Sequence, residues 1–213
     1  KYGISASWSP ERQPTSFHMF LNNTEWVLVT VQTVSATNIT CEVKWHFRNG
    51  TEQISQDWTD VSMGSNPSGW CSSFLFFISA DLQAGDSIYS SDNVAPGPPK
   101  VWKIDETTYR EYLGVGREIN HINSTGEKPA PTGVVGILAF NHYWDKATGV
   151  LMEHDVLDVW KEGTIEKAIH YHFEIIDSNI AWTMPTPPIT PSPTPTSPTP
   201  APTQAPISGA AYP

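Results

Sequence analysis

From Thr24 onward, apolar and polar side chains alternate along most of this chain, and a period of two marks strands that lay one face on a core. The clearest stretch is Asn38 to Arg48. Ile39, Cys41, Val43, Trp45 and Phe47 fall on one side, and Thr40, Glu42, Lys44, His46 and Arg48 on the other. Asn49-Gly50 is a strong short hairpin signal that turns the chain into a weaker strand from Thr51 to about Val61. The β-branched stretch Trp26 to Val34 reads as the strand before them.

The middle and last thirds extend the pattern. Ser72 to Ala80 is a short continuous apolar run, Phe74-Leu75-Phe76-Phe77-Ile78 at its centre, and its length predicts a strand buried on both faces. Ser87 to Ser90, Lys100 to Ile104, Thr107 to Leu113 and Gly116 to Ile122 are further predicted strands. Gly133 to Trp144, Val150 to Trp160 and Thr164 to Ile176 read as a meander. Its first turn is Asp145-Lys146-Ala147-Thr148-Gly149, where Asp can bond its own backbone and Gly can take positive φ. In the last of these strands Ile165, Ile169, Tyr171, Phe173 and Ile175 share one face, and Glu166, His170, His172 and Glu174 the other. A short strand from Asn179 to Thr183 closes the set. Helix signals are scarce, so the expected fold is all-β: an antiparallel β-sandwich or curled half-barrel spanning residues 1–184.

Composition changes at that boundary. Residues 185–213 hold 11 prolines, six threonines and three serines and no charge. Proline lacks the amide donor and fixes φ, so this tail is expected to be extended polyproline II, a stalk reaching on the order of 90 Å at about 3.1 Å per residue. Across the chain, 12 basic residues face 22 acidic ones for a net charge of −10. That balance excludes the Lys/Arg footprint of a nucleic-acid binder and argues against docking on an anionic membrane. No run of about 18 apolar residues occurs, so membrane contact is expected only through an anchor outside this sequence, a place suggested by the small apolar ending Ser208 to Pro213. Lys1-Tyr2-Gly3 fits a chain whose leader has been removed.

Two cysteines, Cys41 and Cys71, are an even count, and one disulfide between them is expected. Four Asn-x-Ser/Thr triplets begin at Asn22, Asn38, Asn49 and Asn123, and the one at Asn49 coincides with the hairpin turn, where a glycan fits. Bridge, sequons and stalk together predict a secreted glycoprotein presented at a cell surface.

Tyr143-Trp144-Asp145-Lys146-Ala147-Thr148-Gly149-Val150-Leu151-Met152-Glu153, the upstream Ala84-Gly85-Asp86 turn and the Pro/Thr tail resemble uncharacterised archaeal secreted proteins held at the cell surface by a C-terminal anchor. The resemblance covers roughly residues 70–213. It implies a β-sheet ectodomain similar to the half-barrel of bacterial lipoprotein carriers, and it brings no catalytic residues.

Candidate chemistry is sparse. His170 and His172 share a strand face, and His154 on the adjacent strand could join them as metal ligands, with Asp155, Asp158 or Glu174 supplying oxygen; the competing reading is a pair of ordinary solvent-facing histidines. No spacing selects two carboxylates for acid–base work, and no nucleophile elbow, phosphate loop or zinc-protease helix occurs, so neither catalysis nor a cofactor is expected. Nine tryptophans are many for this length. Trp58, Trp70, Trp144 and Trp160 lie near predicted turns or strand ends and could stack on sugar rings or line an apolar pocket, or else cap the ends of the core. The expected function is a non-catalytic surface or adhesion module contacting glycans or envelope proteins. Two alternatives stand beside it: a carrier of a lipid or other apolar small molecule, and a carbohydrate binder using exposed Trp.

Overall fold

The computed structural model describes residues 1–63, 74–89, 102–128 and 134–180. Its elements are β1 (Tyr2–Trp8), α1 (Ser16–Asn23), β2 (Thr24–Ser35), β3 (Asn38–Phe47), β4 (Glu52–Asp60), β5 (Glu106–Tyr112), β6 (Val115–Lys128), β7 (Val134–Asp145), β8 (Leu151–Glu162) and β9 (Ile165–Ile175). The expected all-β antiparallel architecture is present as one nine-stranded sheet, ordered β4-β3-β2-β1-β9-β8-β7-β6-β5, which does not close on itself. Each meander follows from short turns that let neighbours in sequence pair antiparallel. What joins the two meanders is β1, whose residues Tyr2 to Trp8 pair with Ile175 to Ile169 of β9 and, through Tyr2 and Gly3, with Val27 and Trp26 of β2.

Register fixes two faces. The inner face carries Cys41, Val43 and Trp45 of β3, Val27 of β2, Tyr2 and Ile4 of β1, and Phe173 of β9, all buried. Helix α1 covers part of it. Thr15 caps its start, the hydroxyl accepting the His18 N–H while the His18 ring accepts the Thr15 N–H, and Phe17, Phe20 and Leu21 fall on one side of the short helix. Phe20 packs edge-on against Trp45 at 4.9 Å, and Leu21 is fully buried.

The rest of the inner face lies under residues 74–78, which correct the expected strand from Ser72 to Ala80. Phe74, Phe76, Phe77 and Ile78 are buried as predicted, but among the described residues the segment makes only an isolated bridge, Phe77 with Val150. Leu75 at φ +53 interrupts any extended run. The segment lies over the sheet as an aromatic roof, tied by the Leu151 N–H to the Phe76 carbonyl and by the Trp144 indole N–H to the Leu75 carbonyl. Likewise the predicted strands at Ser87 to Ser90 and Lys100 to Ile104 contribute only the bridge Ser87–Lys103 among the described residues, and the stretch Asn179–Ile180 is not strand. Cys71, Trp70 and the Pro/Thr stalk lie outside the described residues.

The Asp145–Gly149 turn forms as its sequence predicts. Asp145 Oδ2 accepts from the backbone N–H and the hydroxyl of Thr148, and Gly149 sits at φ +69. The other carboxylate oxygen of Asp145 takes a 2.7 Å bond from buried Arg117 of β6, so this turn is clamped to the neighbouring strand.

Candidate functional site

Two polar groups on the half of the sheet from β5 to β9 hold the residues able to do chemistry, one on each face. On the outer face, Asn123 of β6, Asn141 of β7, Asp155 of β8, His172 of β9 and Ser5 of β1 stand in one cross-strand row. Asp155 Oδ1 lies 2.6 Å from His170 Nε2 and 3.3 Å from His172 Nδ1, so one carboxylate holds both imidazoles in place. At the β5–β6 end, His121 bridges Glu106 and the Asn141 amide oxygen, 3.0 Å from each, and stacks flat on Tyr143 with centroids 4.2 Å apart. The Arg110 guanidinium lies over the other part of this row, 3.9 Å from the Tyr143 ring centroid, and donates to Glu153, as does the Tyr112 hydroxyl. Burial and the Glu153 carboxylate push the Tyr112 hydroxyl well up from its ordinary value. The row is a band of hydrogen-bonded, partly solvated side chains along a sheet surface.

The inner face holds the second group. Ile122, His142, His154, Phe173 and Ile4 form the row directly opposite. His142 and His154 are 3% and 4% exposed, with ring centroids 4.2 Å apart. Trp144 stacks on His142, and Phe74 of the roof meets His154 edge-on. Burial holds both imidazoles neutral: His142 lies well below its ordinary pKa, and His154 is pushed down to about 3, the nearby Asp155 charge opposing the shift only in part.

This geometry divides the expected metal trio. His170 and His172 share the outer face as the strand pattern predicts, but His154 points the other way, because successive strand residues alternate and His154 precedes the outer-facing Asp155. Among the described residues no group of three or more His, Cys, Asp or Glu is placed to hold a metal ion. Asp158 is also on the inner face, paired with Arg12 at 3.6 Å, and Glu174 lies 3.8 Å from His172 on the outer.

The expected stacking tryptophans part in the same way. Trp144 is fully buried with its indole N–H committed to Leu75, so it cannot receive a ligand; strand alternation places it on the inner face with His142, in the core-capping role that was the other expectation for it. Trp160 lies half-buried under the Arg12 guanidinium at 4.9 Å. Trp58, on edge strand β4, is exposed. Of the sequon residues, Asn38, Asn49 and Asn123 are exposed and Asn22 is half-buried in the last turn of α1, its carbonyl accepting from Arg48. Cys41 is fully buried on β3, and no free cysteine occurs among the described residues.

Sequence reading passed over His142, Asn141 and His121. The alternation in Phe140-Asn141-His142-Tyr143-Trp144 already separates Asn141 and Tyr143 from His142 and Trp144; what it lacks is the register that sets His142 beside His154. A cavity of about 390 Å³ lies beside the start of β1, where residues 28–31 of β2 run on past Tyr2 and keep a partner only in β3. Leu28, Val29, Val31, Phe77, Val150 and Ile175 supply its apolar wall, and Lys1 and Asp177 its rim. Compared with known proteins, the chain matches no family model and no curated protein.

Proposed function

We propose that this chain is a glycosylated, non-catalytic module displayed at a cell surface, with residues 185–213 as its stalk and its exposed sheet surface contacting a glycan or a neighbouring envelope protein. The observation that supports this best is the Asn49 sequon. It occupies the exposed turn between β3 and β4, where the Asn49 side-chain oxygen accepts both the N–H and the hydroxyl of Thr51, at 3.0 and 2.7 Å, so acceptor and hydroxyl are already joined. A bridge between buried Cys41 and Cys71 belongs to the same reading and would stabilise the domain by roughly 3–4 kcal/mol for a loop of about 30 residues.

The test is secretion from a glycosylating host followed by intact-mass measurement with and without glycosidase and reductant. Glycan mass that drops by one chain in Asn49→Gln, with the β circular-dichroism signal retained, supports the module. Unmodified protein at all four sequons, with two alkylatable thiols, sinks it.

A second reading, a binder of an apolar small molecule, is favoured by the cavity beside β1, whose volume lies within the usual range of roughly 300–1,000 Å³ for ligand sites. Native mass spectrometry of gently purified protein decides it. An adduct lost in Val29→Trp, which fills the apolar wall, supports the carrier; bare protein that also fails to take up added fatty acid ends it.

A further inference from the structure

The buried His142–His154 pair is costly to keep. Among the described residues neither Nδ1 has a hydrogen-bond partner, and a buried polar atom without one costs about 1–3 kcal/mol. Apolar rings of similar size would fill the same space without that penalty, since the surroundings are Phe74, Phe140, Trp144, Tyr171 and Phe173. A shared metal ion does not fit between the two rings. With nitrogens about 2.1 Å from a common ion, the ring centroids would stand roughly 5–6 Å apart, beyond the 4.2 Å observed.

What lies above the pair is a roof of aromatic rings that, among the described residues, joins the sheet through scattered hydrogen bonds and an isolated bridge. Phe74 covers His154 with centroids 6.0 Å apart, and Trp102 covers His142 at 5.6 Å while stacking on Phe140. Among the described residues the segment carrying Phe74 meets the sheet through the Leu151–Phe76, Ile78–Gly149 and Trp144–Leu75 hydrogen bonds, with Asp81–Lys146 just beyond it, whereas the strands beneath are held by continuous ladders. We propose that His142 and His154 form a proton-operated latch: charging either imidazole lifts residues 74–78 and Trp102 from the sheet and exposes its aromatic inner face.

The physical cause is local. A charge placed on either ring sits among aromatic and aliphatic groups that cannot solvate it, and a second charge would sit 4.2 Å from the first. On the same face, β9 presents Tyr171, whose hydroxyl burial pushes up to about 12, α1 brings His18 beside Tyr171, and β8 carries Asp158, already paired with Arg12. From β6, Ile122 faces His142. Through the sheet, Asp155 favours a charged His154, whereas His172 and His121 oppose charge on His154 and His142 respectively. Among the described residues the favourable charge is Asp155, which is shared with two outer histidines, so it does not compensate for burial. Opening toward water does.

The experiment is a pH titration of the full chain from 7.5 to 3.5, following dye binding to exposed apolar surface, near- and far-ultraviolet circular dichroism, and the exchange rate of the Trp144 indole proton, which reads the bond to the Leu75 carbonyl directly. Dye fluorescence should rise and near-ultraviolet signal fall while the β signal persists. In His154→Phe and His142→Phe the midpoint should move down by about one pH unit or more, with indole exchange at pH 4.5 slowed ~10-fold. In the unaltered protein the imidazole resonances of the pair should titrate with the same midpoint as the dye. Opening while both rings remain neutral, or an unchanged midpoint in the two variants with a shifted one in Asp155→Asn, would overturn the latch. Neither result bears on glycosylation or on the cavity beside β1, which have separate readouts.

Discussion

Gly149 shows how much one position can carry. It holds φ +69, and a Cβ there would overlap the Ile78 carbonyl oxygen, because the Asp145–Gly149 turn is where the roof touches the sheet. Gly50, at φ +84 in the β3–β4 turn, has nothing within 4 Å of where a Cβ would stand. Both substitutions to Ala incur the left-handed penalty of roughly 1–2 kcal/mol, but only Gly149→Ala must also displace backbone. Urea denaturation should therefore show a loss near ~1 kcal/mol for Gly50→Ala and well above ~2 kcal/mol for Gly149→Ala; equal losses would mean that the roof does not press on this turn. The neighbouring ion pair makes a related case. Arg117→Met leaves the Asp145 carboxylate buried without its cation, and about 3–5 kcal/mol should be lost in the same assay.

At the level of elements, what the sequence makes legible is what depends on alternation. Strand β3 and the β5–β9 meander stand close to their expected places because one face is wet and the other dry, and the Asp145–Gly149 turn declares itself through local chemistry. Three elements escape that logic. Strand β1 has short polar residues, Ser5 and Ser7, between its apolar ones, and its partners are some 20 and 170 residues away, so nothing nearby marks it as the tie between meanders. Helix α1 is only eight residues, too short for a repeating 3.6 pattern, yet Thr15 ahead of Phe17 and Phe20 is a visible start. The 74–78 run is buried, but burial on all sides is as compatible with a roof as with a central strand, and only Leu75 at φ +53 separates them. The same limit applies to the candidate site: alternation assigns His170 and His172 to one face, while the pairing of His142 with His154 depends on a register that only the folded sheet supplies. The helix start can be tested directly. Thr15→Ala removes the cap and should lower stability by about 1 kcal/mol, and a loss restored by Thr15→Ser or Thr15→Asp would assign it to capping rather than packing.

For the whole molecule, the inner histidines couple stability to pH, and the sign follows from burial. Both have folded pKa values below the ordinary 6.5, so on acidification the unfolded chain takes up protons first. Stability is complete above about 6.5 and falls as pH drops below it, toward about 3 for His154, at up to about 1.4 kcal/mol per pH unit for each imidazole. Carboxylates act lower. Glu52 and Asp60 are held below their ordinary 4.5 and 3.8, chiefly by the Lys44 and Ser62 hydrogen bonds, so their contributions are present above those values and are lost only beneath them. The Lys1 amine, lowered from 8.0 mainly by burial, shares the sign of the histidines but titrates from a higher start. The difference between the unaltered protein and His154→Phe cancels the amine and the carboxylates alike. Denaturant unfolding at pH 7.5, 6.0, 5.0 and 4.5 should show the variant's advantage growing steadily below 6.5. A difference that stays constant across that window would mean that His154 is charged in the folded sheet, and with a charged ring the aromatic roof above it could not remain closed.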